Sequence, residues 1–207
     1  MYISPALLNF AENTTMNLPI LAYGNNILKQ KCLQINEITP EIHQLVNDMW
    51  DTMENANGCG LASPQIGKPL QLFVVDSQIT YQNLDTEDQI LYFEKGDKGI
   101  KETFINAKII HSSKEAWEDY EGCLSIPGLS QKVKRPWEIT IEYLDRNFIK
   151  HTKTFKGMTA RIIQHEYDHT QGVLYINRLK PLTKKLMESK LKKIASGNIV
   201  TGYPMKF

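Results

Sequence analysis

Apolar residues recur with a helical period after Thr39-Pro40-Glu41, at Ile42, Leu45, Val46, Met49, Trp50 and Met53. Threonine is a favoured N-cap, proline fits the first helical position, and an acid suits the positive end of the helix, so the spacing predicts a helix of about four turns. Its Met and Trp stripe reads as core. Gly58, Gly60 and Pro64 then predict a tight loop, and the run from Leu70 to Val75 predicts a buried strand, so the loop presents backbone groups beside a strand edge.

Ser77 to Thr103, with Gly96, Gly99 and several charges, has weak periodicity and reads as a variable loop or excursion. Strand character returns at Phe104 to Ile110, Trp117 to Tyr120, Glu138 to Leu144 and Phe148 to Phe155, and Asp145-Arg146-Asn147 between the last two is a hairpin signal. Gly157 to Gly172 predicts a helix on which Met158, Ile162 and Ile163 are spaced to face a sheet. A last helix follows Pro181, with Leu182, Leu186, Leu191 and Ile194 as its apolar stripe and Gly197 as its stop. This order predicts an α+β fold, antiparallel or mixed sheets packed around one central helix, with a C-terminal helix and a short tail.

Composition narrows the class without changing that picture. A chain of 207 residues, 42% hydrophobic and 23% charged, fits one globular domain with room for a core. The formal charge of +1 argues against nucleic-acid binding through the whole surface, and no sequence-specific nucleic-acid contact is expected. Three cysteines do not suggest a disulfide framework, and Cys32 reads as a buried apolar residue. Because no apolar stretch is long enough to cross a bilayer, the expectation is a soluble, cytoplasmic protein without membrane contact. Residues 1–15 lack a basic n-region and contain Glu12, so they read as an extension rather than a signal or transit peptide. That leaves residues 16–207 as one expected domain, with Met16 as an alternative start.

The candidate chemistry begins at His165-Glu166-Tyr167-Asp168-His169. Imidazoles four residues apart share a helix face and can hold a divalent metal, and a carboxylate beside the first can act as a general base toward water. The pattern fixes only three positions, so a third ligand decides the matter. The metzincin extension places that ligand on Tyr175, a poor replacement for histidine. Glu188 stands at a distance tolerable for a thermolysin-like site, but its Lys-rich surroundings read as a solvated helix. Upstream, Glu121-Gly122-Cys123-Leu124-Ser125 offers a cysteine just after a strand-like run, and a thiolate with two imidazoles leaves a fourth position open.

Three blocks in order carry a resemblance to peptide deformylases: Gly58-Cys59-Gly60-Leu61-Ala62-Ser63-Pro64-Gln65, Glu121-Gly122-Cys123-Leu124-Ser125, and Gln164-His165-Glu166-Tyr167-Asp168-His169. The similarity runs from about Met16 to about Leu179. Cys59 and Ser63 depart from the usual aliphatic residue and second alanine of the first block. The resemblance implies removal of the formyl group from N-formylmethionyl nascent peptides. It implies Cys123, His165 and His169 as ligands of one divalent metal, Fe(II) in many members, with Zn(II), Ni(II) or Co(II) able to occupy the same set. Glu166 is then the general acid and base, with Gln65 and the Leu124 backbone N–H as oxyanion donors. Gly60, Cys59 and Ile162 are expected at the substrate, Ile162 with plain core packing as its alternative, and Glu121 with Arg135 as a supporting ion pair or a simple surface pair. Lys184, Lys185, Lys190, Lys192 and Lys193 on the last helix read either as a solvated face or, by the same resemblance, as a ribosome-docking stripe. A metalloprotease and a protein with a structural metal are the competing classes, and retention of Glu166 and Gln65 disfavours the second.

Overall fold

A computed structural model describes residues 17–207, so the extension and Met16 lie outside the described residues. In chain order the elements are β1 (Ile20–Leu21), α1 (Pro40–Asn55), β2 (Gly60–Ala62), β3 (Leu72–Asp76), α2 (Ser77–Asn83), α3 (Thr86–Tyr92) and β4 (Lys101–Ser112). β5 (Ala116–Cys123), β6 (Ile126–Pro136), β7 (Glu138–Leu144), β8 (Lys150–Lys156), α4 (Gly157–Thr170), α5 (Pro181–Ala195) and β9 (Met205–Lys206) follow. The Thr39 hydroxyl accepts from the Ile42 N–H at 3.4 Å, starting α1 where the sequence predicts.

Five strands form an antiparallel sheet in the order β2-β3-β4-β7-β8, β5 and β6 form a separate hairpin, and β1 pairs with β9 in parallel. Successive side chains of a strand point to opposite faces, so the wholly buried β3 serves two cores. Leu72 and Val74 meet Val46, Met49 and Met53 of α1, whereas Phe73 and Val75 meet Ile162 and Ile163 of α4. Phe73 stacks on Phe104 with ring centres 4.8 Å apart. Each such buried side chain contributes about 1.5–3 kcal/mol. A third core joins the β5–β6 hairpin to α5 through Ile126, Val133, Tyr175, Met187, Leu191 and Ile194. Helix α4 therefore lies between sheet and hairpin, the central position predicted for it.

Gly172 ends that helix. Its N–H bonds to the His169 carbonyl and the Val173 N–H to the Asp168 carbonyl, with φ of +74° at the glycine. A Cβ there would lie 2.5 Å from the Lys29 carbonyl oxygen, so both the left-handed turn and the neighbouring chain require glycine.

Five expectations need correction. The loop expected across Gly58, Gly60 and Pro64 holds the edge strand β2 (Gly60–Ala62), paired with β3. The supposed excursion Ser77 to Thr103 holds α2, α3 and the start of β4; Asp76 and Asp85 cap the two helices, accepting from Ile79 N at 3.1 Å and Asp88 N at 2.9 Å. Strand β6 is absent from the periodicity because its solvent-facing positions carry Ser130, Lys132 and Lys134 and Pro127-Gly128 follow its first residue. Phe148 is not in β8 but sits in the preceding turn at φ +63°, where the Asp145 carboxylate accepts from Asn147 N and Ile149 N. On α5, Leu182 and Leu186 are 69% and 77% exposed, and the buried stripe is Met187, Leu191 and Ile194. Those three lie four and three residues apart on one face, which Leu182 and Leu186 do not share.

Candidate metal centre

Helix α4 presents its inner residues in two directions. Ile162 and Ile163 enter the sheet core, while His165 and His169 turn toward the β5–β6 hairpin, where Cys123 ends β5. One ligand atom each from Cys123, His165 and His169 lies within 4.8 Å of the other two, and all three residues are buried. The Cys123 Sγ is 3.3 Å from His169 Nε2.

The other ring nitrogen of His165, Nδ1, is 3.0 Å from a Glu121 oxygen, leaving its Nε2 for the cluster. Burial opposes charge on His165, but hydrogen bonds to Cys123 and Glu121 outweigh it and raise its pKa well above the ordinary value. Burial and the neighbouring His165 hold His169 far below. A soft sulfur and two imidazoles, one orientated by a carboxylate, fit a divalent transition metal. Tyr175, which falls where the metzincin pattern needs histidine, instead packs its ring on His165 at 6.2 Å and donates its hydroxyl to the Leu129 carbonyl at 3.1 Å. Glu188 is an exposed partner of Lys192 at 2.8 Å, far from any ligand role.

Behind the ligands is a buried charge network. Arg135 donates two bonds to Glu121, at 2.6 and 2.8 Å, and a third to Asp168 at 2.8 Å. With Arg135 only 1% exposed, the surface-pair alternative is excluded. Arg161 donates to Glu121 at 2.7 Å and covers Trp117 at 4.1 Å, and Arg178 grips Asp168 through two bonds of 2.6 Å. Burial would raise the Glu121 carboxyl, yet hydrogen bonds from His165 and Arg135 hold it well below the carboxylate range. Sequence reasoning missed Arg161, Asp168 and Arg178. The available signal for Arg161 was its position four residues before His165, on the same helix face.

A cavity of about 370 Å³ opens onto this cluster, lined by Cys59, Gly60, Gln65, Leu124, Ile162 and Glu166 among others, so the sequence-predicted residues converge on one space. Glu166 is buried with Oε2 lacking a hydrogen-bond partner, and burial lifts its carboxyl to about 7. Gly60 has a different reason for lacking a side chain than close approach of substrate backbone alone: a Cβ there would stand 2.5 Å from Glu166 Oε1. The Gln65 amide is fixed by the Ala62 N–H, which donates to its Oε1 at 2.7 Å, so that Nε2 points to Ser125 Oγ at 3.3 Å and Cys123 Sγ at 3.7 Å. Burial pushes the Cys59 thiol up to about 11, which keeps it protonated and a weak nucleophile near neutral pH.

Residues 17–185 match the family model for polypeptide deformylase. The chain is 44% identical to a peptide deformylase of Christiangramia forsetii, over 93% of this chain and 96% of that protein, and 43% identical to one of Flavobacterium johnsoniae over 93% and 96%. The crystal structure of the Ehrlichia chaffeensis peptide deformylase superposes with a TM-score of 0.77 at 30% identity, covering 89% of this chain and all of that one. A Legionella pneumophila peptide deformylase superposes with a TM-score of 0.73 at 32% identity, covering 88% and 98%. With matches that run almost from end to end around a Cys/His/His cluster able to hold a metal, the chain belongs to the polypeptide deformylase family, hydrolases that remove the N-terminal formyl group of nascent polypeptides.

Proposed function

We propose that residues 16–207 form one catalytic domain that releases formate from N-formylmethionyl peptides, with Cys123, His165 and His169 holding one divalent metal. The observation that carries the reading is the convergence of these three donors beside a buried carboxylate, Glu166, whose Oε2 has no other partner. Thiolate and imidazole suit iron and zinc alike; Fe(II) is the proposed metal, with Zn(II), Ni(II) and Co(II) as substitutes. When bound, the cation supplies a Lewis acid that makes hydroxide available from water near neutral pH.

The chain's own residues supply the rest. Glu166 Oε2 takes the proton of the attacking water and returns it to the departing amine nitrogen, which cannot leave well as an anion. Gln65 Nε2 and the Leu124 N–H donate to the oxyanion, each worth about 100- to 1000-fold in rate. Gly60 and Cys59 line the substrate's path, and Ile162 contributes to the methionine pocket. Glu121 and Arg135 set the His165 ring. Formate release from formyl-Met-Ala-Ser under anaerobic conditions, with no cleavage of an internally quenched unformylated peptide, is the expected result; cleavage of the second peptide alone would replace this reading with a protease.

The basic face of α5 supports a further part of the proposal, docking on the ribosome in the cytoplasm, where nascent formylated chains emerge. Leu182 and Leu186 are exposed on a helix that also carries five lysines, and no helix among the described residues is long and apolar enough to cross a membrane. Phosphate contacts release counterions, so binding must weaken with salt. Cosedimentation with ribosomes at low salt should disappear when Lys184, Lys185, Lys192 and Lys193 are changed together to Glu, while turnover of a free formylated tripeptide persists. Equal binding by both proteins across a salt series would leave α5 a solvated face.

A further inference from the structure

The tail beyond α5 reaches back into the site. From Thr201 to Lys206 the residues alternate, Thr201, Tyr203 and Met205 half-buried, Gly202, Pro204 and Lys206 exposed, the period-two pattern of an extended chain with one face on the protein. Strand β9 pairs with β1, the Ile20 N–H donating to the Pro204 carbonyl at 2.9 Å and the Ala22 N–H to the Lys206 carbonyl at 2.8 Å. That pairing holds Tyr203 at the cavity, with its hydroxyl donating to the Leu124 carbonyl at 2.8 Å. The next carbonyl, of Ser125, accepts from the Tyr23 N–H at 2.8 Å, just past β1.

The turn between β5 and β6 needs such support. The hairpin pairing shifts register between Gly122 and Cys123, from Gly122 opposite Ser130 to Cys123 opposite Ile126, so the regular ladder stops short of Leu124 and Ser125. Two successive carbonyls of this turn are instead fixed from outside, one by the tail and one by the chain leaving β1. Fixing them constrains the backbone of Leu124, a residue that lines the same cavity.

We infer that Tyr203 is a positioning residue of the active site, whose hydroxyl holds the Leu124 backbone so that its N–H meets the oxyanion. Tyr203 lies beyond residue 185, where the match to the family model ends, and 79 positions from Leu124. The inference rests on the reading of the Leu124 N–H as an oxyanion donor, and its test separates the two. kcat and KM for formyl-Met-Ala-Ser are measured on metal-loaded wild type, on Tyr203→Phe, and on a semisynthetic protein in which an ester oxygen replaces the Leu124 N–H, with metal content and Tm recorded for each.

Tyr203→Phe keeps the ring and loses one neutral hydrogen bond, so kcat should fall about two- to tenfold with KM within about twofold and metal retained. The ester should lower kcat by about 100-fold or more. If the ester costs rate and Tyr203→Phe does not, the Leu124 reading stands and the inference is overturned. If the ester leaves kcat intact, the donor reading fails and the inference fails with it. A Tyr203→Phe loss matched by lost metal, or seen in KM alone, also overturns it, since a residue acting on the transition state moves kcat.

Discussion

Glu166→Ala should bind its metal at wild-type stoichiometry and lose formate release by about 100- to 10,000-fold, the range spanned by general acid–base catalysis. The carboxylate is not one of the three clustered donors, and its Oε2 bonds to nothing else, so its removal leaves the Cys123, His165 and His169 arrangement without a missing partner. An unpaired buried carboxylate also costs stability where it stands, and the alanine variant is therefore expected to melt no lower than wild type by more than a few degrees. Metal analysis, Tm and single-turnover formate release on the same sample separate the outcomes. Near-normal turnover would remove Glu166 from the chemistry; loss of metal would make it a structural support of the cluster.

Cys123→Ala should strip the protein of metal after anaerobic dialysis, whereas Glu188→Ala keeps both metal and activity. Two imidazoles on one helix remain in the first variant, but the soft donor is gone and the site opens on the cavity side. Loss of an outer partner commonly weakens metal binding 10- to 100-fold, and loss of a ligand itself should exceed about 100-fold. Gln65 Nε2, 3.7 Å from Cys123 Sγ, is a donor and cannot replace it. Full metal stoichiometry in Cys123→Ala would dismantle the site as drawn, and loss in Glu188→Ala would revive the carboxylate alternative.

What the sequence discloses depends on whether the physics is local. α1 is readable because Thr39, Pro40 and the apolar period agree within one segment, and β7 because Ile139, Ile141 and Tyr143 alternate inward. β6 is not, since its buried residues are few and its exposed ones polar, and α2 and α3 are short helices whose only strong marks are the caps Asp76 and Asp85. At the site, ligand chemistry restricts residue type so severely that Cys123, His165 and His169 stand out as candidates before their clustering is known. A buried arginine has no such signature. Arg161 reads as a surface residue until the position of Glu121 is given, the exposed Arg178 shows no sign of its grip on the buried Asp168, and Tyr203 is invisible until the tail's return is known.

The hydrogen-bond arithmetic of Glu121 bears on how this chain can diverge. One carboxylate receives Arg135, Arg161 and His165, three partners drawn from β6 and from two turns of α4. Substituting any one strands charge that was neutralised in common, so its cost depends on which of the others are still present, and single changes mislead about double ones. Each single replacement should therefore cost more than its share of a concerted one, and a second replacement at this node should cost less once the first has been made.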